Sequence, residues 1–149
     1  MRKMKVGKVT FTEAYKAVNE YRQKFPQKAV TFYAQNYPAM GWAVFMAGGS
    51  CPVIPCTDKA FLKDAAAMEV EETNTDEYKK MVKSDIGSII YSKSGTEIPV
   101  QLSSGKYVLK YIHPASGKIE TINKSLKING LYNLKVPDKK EGIYWFHKL

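Results

Sequence analysis

Arginine is almost missing from this chain: of its 23 Lys and Arg residues only Arg2 and Arg22 are arginines. Readers of nucleic acid favour the bidentate guanidinium fork, so the shortage argues against a nucleic-acid partner. The net charge of +9 rests on lysines scattered among apolar residues. Such lysines suit a solvated sheet face and protect strand edges. No apolar run approaches the roughly 20 residues that cross a bilayer, so no membrane span is expected. The basic start Met1-Arg2-Lys3-Met4-Lys5 leads into Val6-Gly7-Lys8-Val9-Thr10 without an apolar h-region, and no signal peptide is expected.

Cysteine and histidine are also scarce, with two of each. Cys51 and Cys56 enclose two prolines and are either free thiols or one disulfide. A structural zinc wants four ligands, and His113 and His147 lie far off in sequence, so no metal or other cofactor is expected. Paired carboxylates are lacking as well. Glu13, Glu20, Asp64 and Glu69 are expected on the solvent faces of amphipathic helices. Glycoside hydrolysis needs two carboxyl groups across one bond, so the chain is not expected to be active alone.

What is present is an ordinary globular balance, 44% hydrophobic and 25% charged over 149 residues. Phe11, Ala14, Tyr15, Val18, Tyr21 and Phe25 fall at the spacing of one buried helical stripe over 10–25. Thr10 or Thr12 can cap that helix and Pro26 stops it. Residues 28–34 read as a short apolar strand of a parallel sheet. Residues 37–47 are apolar all round, which belongs in a core. A short helix is expected from a cap at Thr57 or Asp58 to Met68, with Phe61, Leu62, Ala65 and Met68 inward.

The acidic stretch 69–77 reads as a linker, giving domains 1–72 and 73–149. After it, 86–92, 97–102, 106–112, 118–122, 131–136 and 143–148 each look like strands, separated by Gly, Pro, Asn or Ser at the rhythm of an all-β fold. His113-Pro114-Ala115-Ser116-Gly117 is a hairpin turn between two of them. His113 is expected to be a solvated turn residue and His147 an exposed one on the last strand. The fold class expected is α+β: a helical, short-strand segment followed by a small antiparallel β-sandwich. One helix, one strand, an apolar segment and a second helix cannot close a parallel sheet, so the first half reads as part of something larger.

The residues Gly105, Tyr107, Tyr111, His113, Pro114, Ala115, Ser116 and Gly117 resemble the pattern G-x-Y-x-x-x-W-x-D-P-R-T-G. It belongs to the collagen-binding-like domain that ends many bacterial glycoside-hydrolase-like proteins. Gly105, Tyr107, Pro114 and Gly117 match, Tyr111 stands in place of Trp, and His113 replaces Asp. Upstream, Lys24-Phe25-Pro26-Gln27-Lys28-Ala29-Val30 resembles the K-F-P-x-K-P-V lead-in to a late strand of a (β/α)8 barrel. Ala43-Val44-Phe45-Met46-Ala47-Gly48-Gly49-Ser50 is similar to its W-x-x-x-x-A-G-G segment leading towards the last strand. The resemblance implies the C-terminal, non-catalytic part of such a protein, whose sandwich packs on an upstream barrel and contacts polysaccharide or a matrix protein. It also implies a secreted or periplasmic parent, which favours a Cys51–Cys56 disulfide.

The same resemblance places Gln35, Asn36 and Tyr37 at the catalytic rim, with Trp42 as a further sugar contact. Related barrels often carry a catalytic Glu there, and the amide of Gln35 cannot take that role. Two other readings stay open: part of an active site completed upstream, or a self-sufficient carbohydrate-binding module. Tyr107, Tyr111 and His113 are candidates for a binding surface on the sandwich. Sandwich cores also need such rings, and alternation along a strand keeps Tyr107, Lys110 and Tyr111 from all facing inwards.

Overall fold

The computed structural model describes residues 9–32 and 38–149. Gln35, Asn36 and Tyr37 therefore lie outside the described residues. Two compact units divide the chain, Met1–Ile54 and Pro55–Leu149. Among the described residues three helices precede eight antiparallel strands, an α+β arrangement.

In the first unit, α1 (Phe11–Lys24) starts at a capping box. The Thr10 hydroxyl accepts from Glu13 N–H at 3.2 Å, and the Glu13 carboxylate accepts from Thr10 N–H at 2.8 Å. Two donors that the first helical turn leaves without partners are thereby satisfied. Ala14, Tyr15 and Val18 are buried, whereas Tyr21 and Phe25, at the far end of the expected stripe, are exposed. The helix packs on α2 (Pro38–Met46). Trp42 to Ala47 are nearly all inaccessible, as an all-round apolar helix must be. Gly41 is required where it is, because a Cβ there would collide with the Val53 carbonyl. Arg22 donates to Ala47 O at 3.1 Å, placing a cation against the C-terminal carbonyls of α2.

Residues 28–32 are not a strand, contrary to the sequence expectation. Among the described residues of this unit there is no strand to pair with, and the segment is held by Ser50 N–H donating to Val30 O at 2.7 Å. An apolar, β-prone run makes a strand only where a sheet edge receives it.

In the second unit, Asp58 caps α3 (Lys59–Ala67), accepting from Phe61 N–H at 2.8 Å. The strands are β1 (Glu69–Glu71), β2 (Tyr78–Lys83), β3 (Gly87–Ser92), β4 (Glu97–Gln101), β5 (Gly105–Ile112), β6 (Ile119–Ile128), β7 (Leu131–Lys135) and β8 (Gly142–Lys148). Six form one sheet in the order β1-β2-β3-β8-β5-β6, and β4 and β7 form a second. Period-two alternation sends Ile90, Tyr107, Leu109, Tyr111, Tyr144 and Phe146 from the large sheet against Ile98, Val100 and Leu134 of the small one. The opposite face carries Trp145, which α3 covers through the edge of Phe61 at 5.4 Å between ring centroids.

The stretch expected as a linker is instead partly strand: β1 pairs with β2 from Glu69↔Val82 to Glu71↔Lys80. Lys79 and Lys80 of β2 are buried, an arrangement that survives only with acceptors at hand. Lys79 finds Thr75 O at 2.8 Å, and Lys80 pairs with Glu71 and reaches Pro99 O at 3.3 Å. The edge strand β6 runs six residues past its expected end. It is exposed from Thr121 to Ser125, and its register against β5 shifts twice. Shifts of this kind, with lysines, blunt an edge against stray pairing.

Candidate functional site

The β5–β6 turn and the lead-in to β8 meet at one end of the sandwich and gather a polar cluster around His113, Glu120 and Lys140. The turn is set by His113 N–H donating to Lys118 O at 3.0 Å and Gly117 N–H donating to His113 O at 2.8 Å. Gly117 sits at φ +69°, a left-handed conformation, with Pro55 and Cys56 backbone against its Cα. This turn fixes the register Tyr111↔Glu120.

Three phenols then clamp residues 140 and 141. Tyr111 donates to Glu141 O and Tyr144 to Lys140 O, both at 2.7 Å, while Tyr91 donates to the Glu141 carboxylate. Burial is the first cause in raising the pKa of each phenol, pushing Tyr144 up to about 12. All three stay protonated and keep donating at neutral pH. Without such acceptors each buried hydroxyl would cost about 1–3 kcal/mol.

On this base stand three half-exposed side chains. The Glu120 carboxylate has one oxygen 2.9 Å from His113 Nε2 and the other 3.4 Å from Lys140 Nζ. His113 meets the Tyr111 ring edge-on at 4.8 Å, and Lys140 Nζ lies 4.8 Å from the centre of the same ring. The hydrogen bonds from His113, then Lys140, hold the Glu120 carboxyl below its ordinary value of 4.5. A lowered carboxyl pKa stabilises the fold above the unfolded value, and that contribution is lost as pH falls through the folded one. The melting temperature of Glu120→Gln should therefore lie below that of the native chain at neutral pH, and the gap should close below about pH 4.5, readable in paired melts across pH.

Tyr107 and Tyr111, expected as candidate surface rings, are buried. Both lie on the strand face that meets the small sheet, and Tyr107 donates to Ser103 O at 2.8 Å. His113 alone of those three reaches the surface, where it pairs with Glu120 rather than standing solvated. Trp42 is fully buried in α2 with its ring edge-on to Phe45 at 5.5 Å. Cys51 and Cys56 are free thiols, the first exposed and the second buried. Burial pushes the Cys56 thiol up. Iodoacetamide should modify Cys51 alone in the native chain and Cys56 only after denaturation, as peptide mass mapping would read.

Sequence reasoning missed Glu120 and Lys140 and misplaced Asp64. Asp64 is buried, not on a solvent face: its Oδ2 accepts from Trp145 Nε1 at 2.9 Å and lies 2.7 Å from His147 Nδ1. His147 is correspondingly half-buried rather than exposed. Glu120 was within reach of sequence, since the turn at 113–117 dictates which residue faces Tyr111. In the first unit a groove of roughly 610 Å³ runs along α1, lined by Tyr21, Phe25 and residues 28–32. Its carboxylates are Glu13, committed to the helix cap, and Glu20. Among the described residues, no three His, Cys, Asp or Glu gather as a metal site, and no helix is long and apolar enough to cross a membrane.

A family described as "Domain of unknown function (DUF6298)" matches residues 1–68. No curated protein matches the chain. Among solved structures, a glycoside hydrolase is similar at 15% identity, with a TM-score of 0.40 over 53% of this chain and 19% of its own. CapF with the inhibitor 3-isopropenyl-tropolone is similar at 12% identity, TM-score 0.25, over 92% of this chain and 44% of its own. The capsular polysaccharide assembling protein CapF from Staphylococcus aureus follows at 12% identity, TM-score 0.18, over 97% of this chain and 56% of its own. The chain thus spans about a fifth of the glycoside hydrolase and about half of each CapF chain.

Proposed function

We propose that this chain is the non-catalytic C-terminal portion of a glycoside-hydrolase-like protein, and that its sandwich is an accessory domain holding polysaccharide at the β5–β6 end. The unit Met1–Ile54 is read as the end of that barrel, and the unit Pro55–Leu149, which includes α3 and β1, as the accessory domain. The observation that carries the reading is the division of labour within the stretch resembling the collagen-binding-like domain. Its tyrosines are spent on the core, while His113, with Glu120 and Lys140 from neighbouring segments, forms a rigid, half-exposed hydrogen-bonding rim. Rims of fixed donors and acceptors suit sugar hydroxyls, because the ordering cost is already met by the fold.

The test is retention of the puried chain on a panel of insoluble polysaccharides, neutral and acidic, beside fibrillar collagen. Retention on at least one polysaccharide, weakened several-fold by His113→Ala in a chain of unchanged melting temperature, is expected. Retention on collagen alone, or on nothing, would overturn the reading.

A further inference from the structure

We infer that the polysaccharide taken at this rim is anionic, a uronate-bearing chain whose carboxylate occupies the position between His113 and Lys140 that Glu120 now holds. The inference rests on the accessory-domain reading and adds the ligand's class to it.

The geometry is that of a carboxylate receptor with an internal occupant. His113 Nε2 and Lys140 Nζ each take a separate oxygen of one carboxylate. Both donors are positioned by groups that do not depend on Glu120. The turn and the Tyr111 ring hold His113, and the Tyr144 phenol on Lys140 O fixes the backbone that presents Lys140. Glu120 is the adaptable member. It is half-exposed on an edge strand and is bound by no other hydrogen bond than these two. Swinging it out to water leaves two donors aimed at an empty carboxylate position over an aromatic ring. A donor pair preorganised in this way binds an incoming carboxylate through charge-assisted hydrogen bonds.

The chain carries +9 overall, while on the segments that flank the rim Lys118 and Lys139 are exposed beside Asp138 and Glu141. The net charge of the whole chain raises the local concentration of a polyanion, and the donor pair His113 and Lys140 selects where its carboxylate settles. Lysine rather than arginine dominates, which suits single carboxylates strung along a chain better than paired bidentate recognition.

The experiment compares binding of polygalacturonate, heparin and a neutral glucan to the full chain by calorimetry across a salt series. Polygalacturonate should bind, heparin more weakly, and the neutral glucan least. Glu120→Gln, which weakens the internal occupant, should raise polygalacturonate affinity several-fold, and Lys140→Ala should lower it about tenfold. Glu97→Gln makes the same charge change on β4, away from the rim, and should leave affinity within about twofold. Equal gains from Glu97→Gln and Glu120→Gln would mean that net charge alone attracts the polymer, and would sink the inference. So would a preference for heparin, which points to sulfate, or tight binding of the neutral glucan unchanged by Glu120→Gln. That last result would leave the accessory-domain reading standing, while failure to bind any of the three and any polysaccharide on the panel would remove both.

Discussion

Replacing Asp64 with Ala should destabilise the fold by about 3 kcal/mol, among the largest costs of any single side-chain truncation outside the apolar core. The carboxylate lies 7% exposed on the inner face of α3, and one oxygen serves two partners on the central strand β8. Truncation leaves the Trp145 indole N–H buried without an acceptor, a loss of about 1–3 kcal/mol by itself. The His147 contact goes with it. Trp145 also carries the edge of Phe61 and the Lys110 ammonium at 4.3 Å from its ring, so a shift of the indole disturbs two further contacts. Asp64→Asn keeps an acceptor of the same size and should cost about half as much. Chemical denaturation of the two variants measures the difference. A loss within about 0.5 kcal/mol for Asp64→Ala would mean that water replaces the carboxylate, and that α3 is held by Phe61 and Ala65 alone.

Gly87→Ala should cost at least about 3 kcal/mol for a different reason. Gly87 opens β3 at φ +152°, and a Cβ there would overlap the Phe146 carbonyl oxygen on the adjacent strand. The obstacle is backbone, so no rotamer change relieves it. Either β3 moves away from β8, breaking the pairing that runs from Gly87↔His147 to Ser92↔Gly142, or β8 bends and carries Trp145 off Asp64. A methyl group is therefore worth more here than a lysine side chain one strand over. Lys83, exposed and directly opposite Gly87 on β2, should tolerate Ala within about 0.5 kcal/mol. Melting curves with near-ultraviolet circular dichroism of the indoles would show the contrast, and a native spectrum with native stability for Gly87→Ala would contradict the packing described.

Local signals in the sequence were good where the local environment decided the outcome. The caps at Thr10 and Asp58 start their helices as the residue types require, and five of the six expected strands lie within one residue of where alternation and turn residues put them. Failures came where the side chain's surroundings, not its neighbours in sequence pattern, decided the outcome. Tyr78-Lys79-Lys80-Met81-Val82-Lys83 carried no strand expectation, yet it forms β2, and two of its lysines are buried because Thr75 O, Glu71 and Pro99 O wait for them. Asp64 reads as the polar face of a helix, and its partners stand 81 and 83 residues later. On β6, Asn123, Lys124 and Ser125 erase the alternation because neither face of that edge is covered, so there was no pattern to read. At the rim, the hairpin announced His113, but Lys140 arrives from another segment and carried no signal.

The strand order has a consequence for how this protein is made. β8 is the latest strand in chain order, and it occupies the middle of the large sheet, between β3 and β5. Until residue 148 has left the ribosome, the sheet exists at most as two separate pieces, β1-β2-β3 and β5-β6, whose inner edges are bare at β3 and β5. Both are apolar edges with a row of unmet backbone donors and acceptors, the surface that draws other chains into aggregates. Synthesis therefore passes through a vulnerable interval that ends only when the final seven-residue strand inserts. A stalled or prematurely stopped translation product would miss the keystone rather than a fringe, and should be found in inclusion bodies or bound to chaperones.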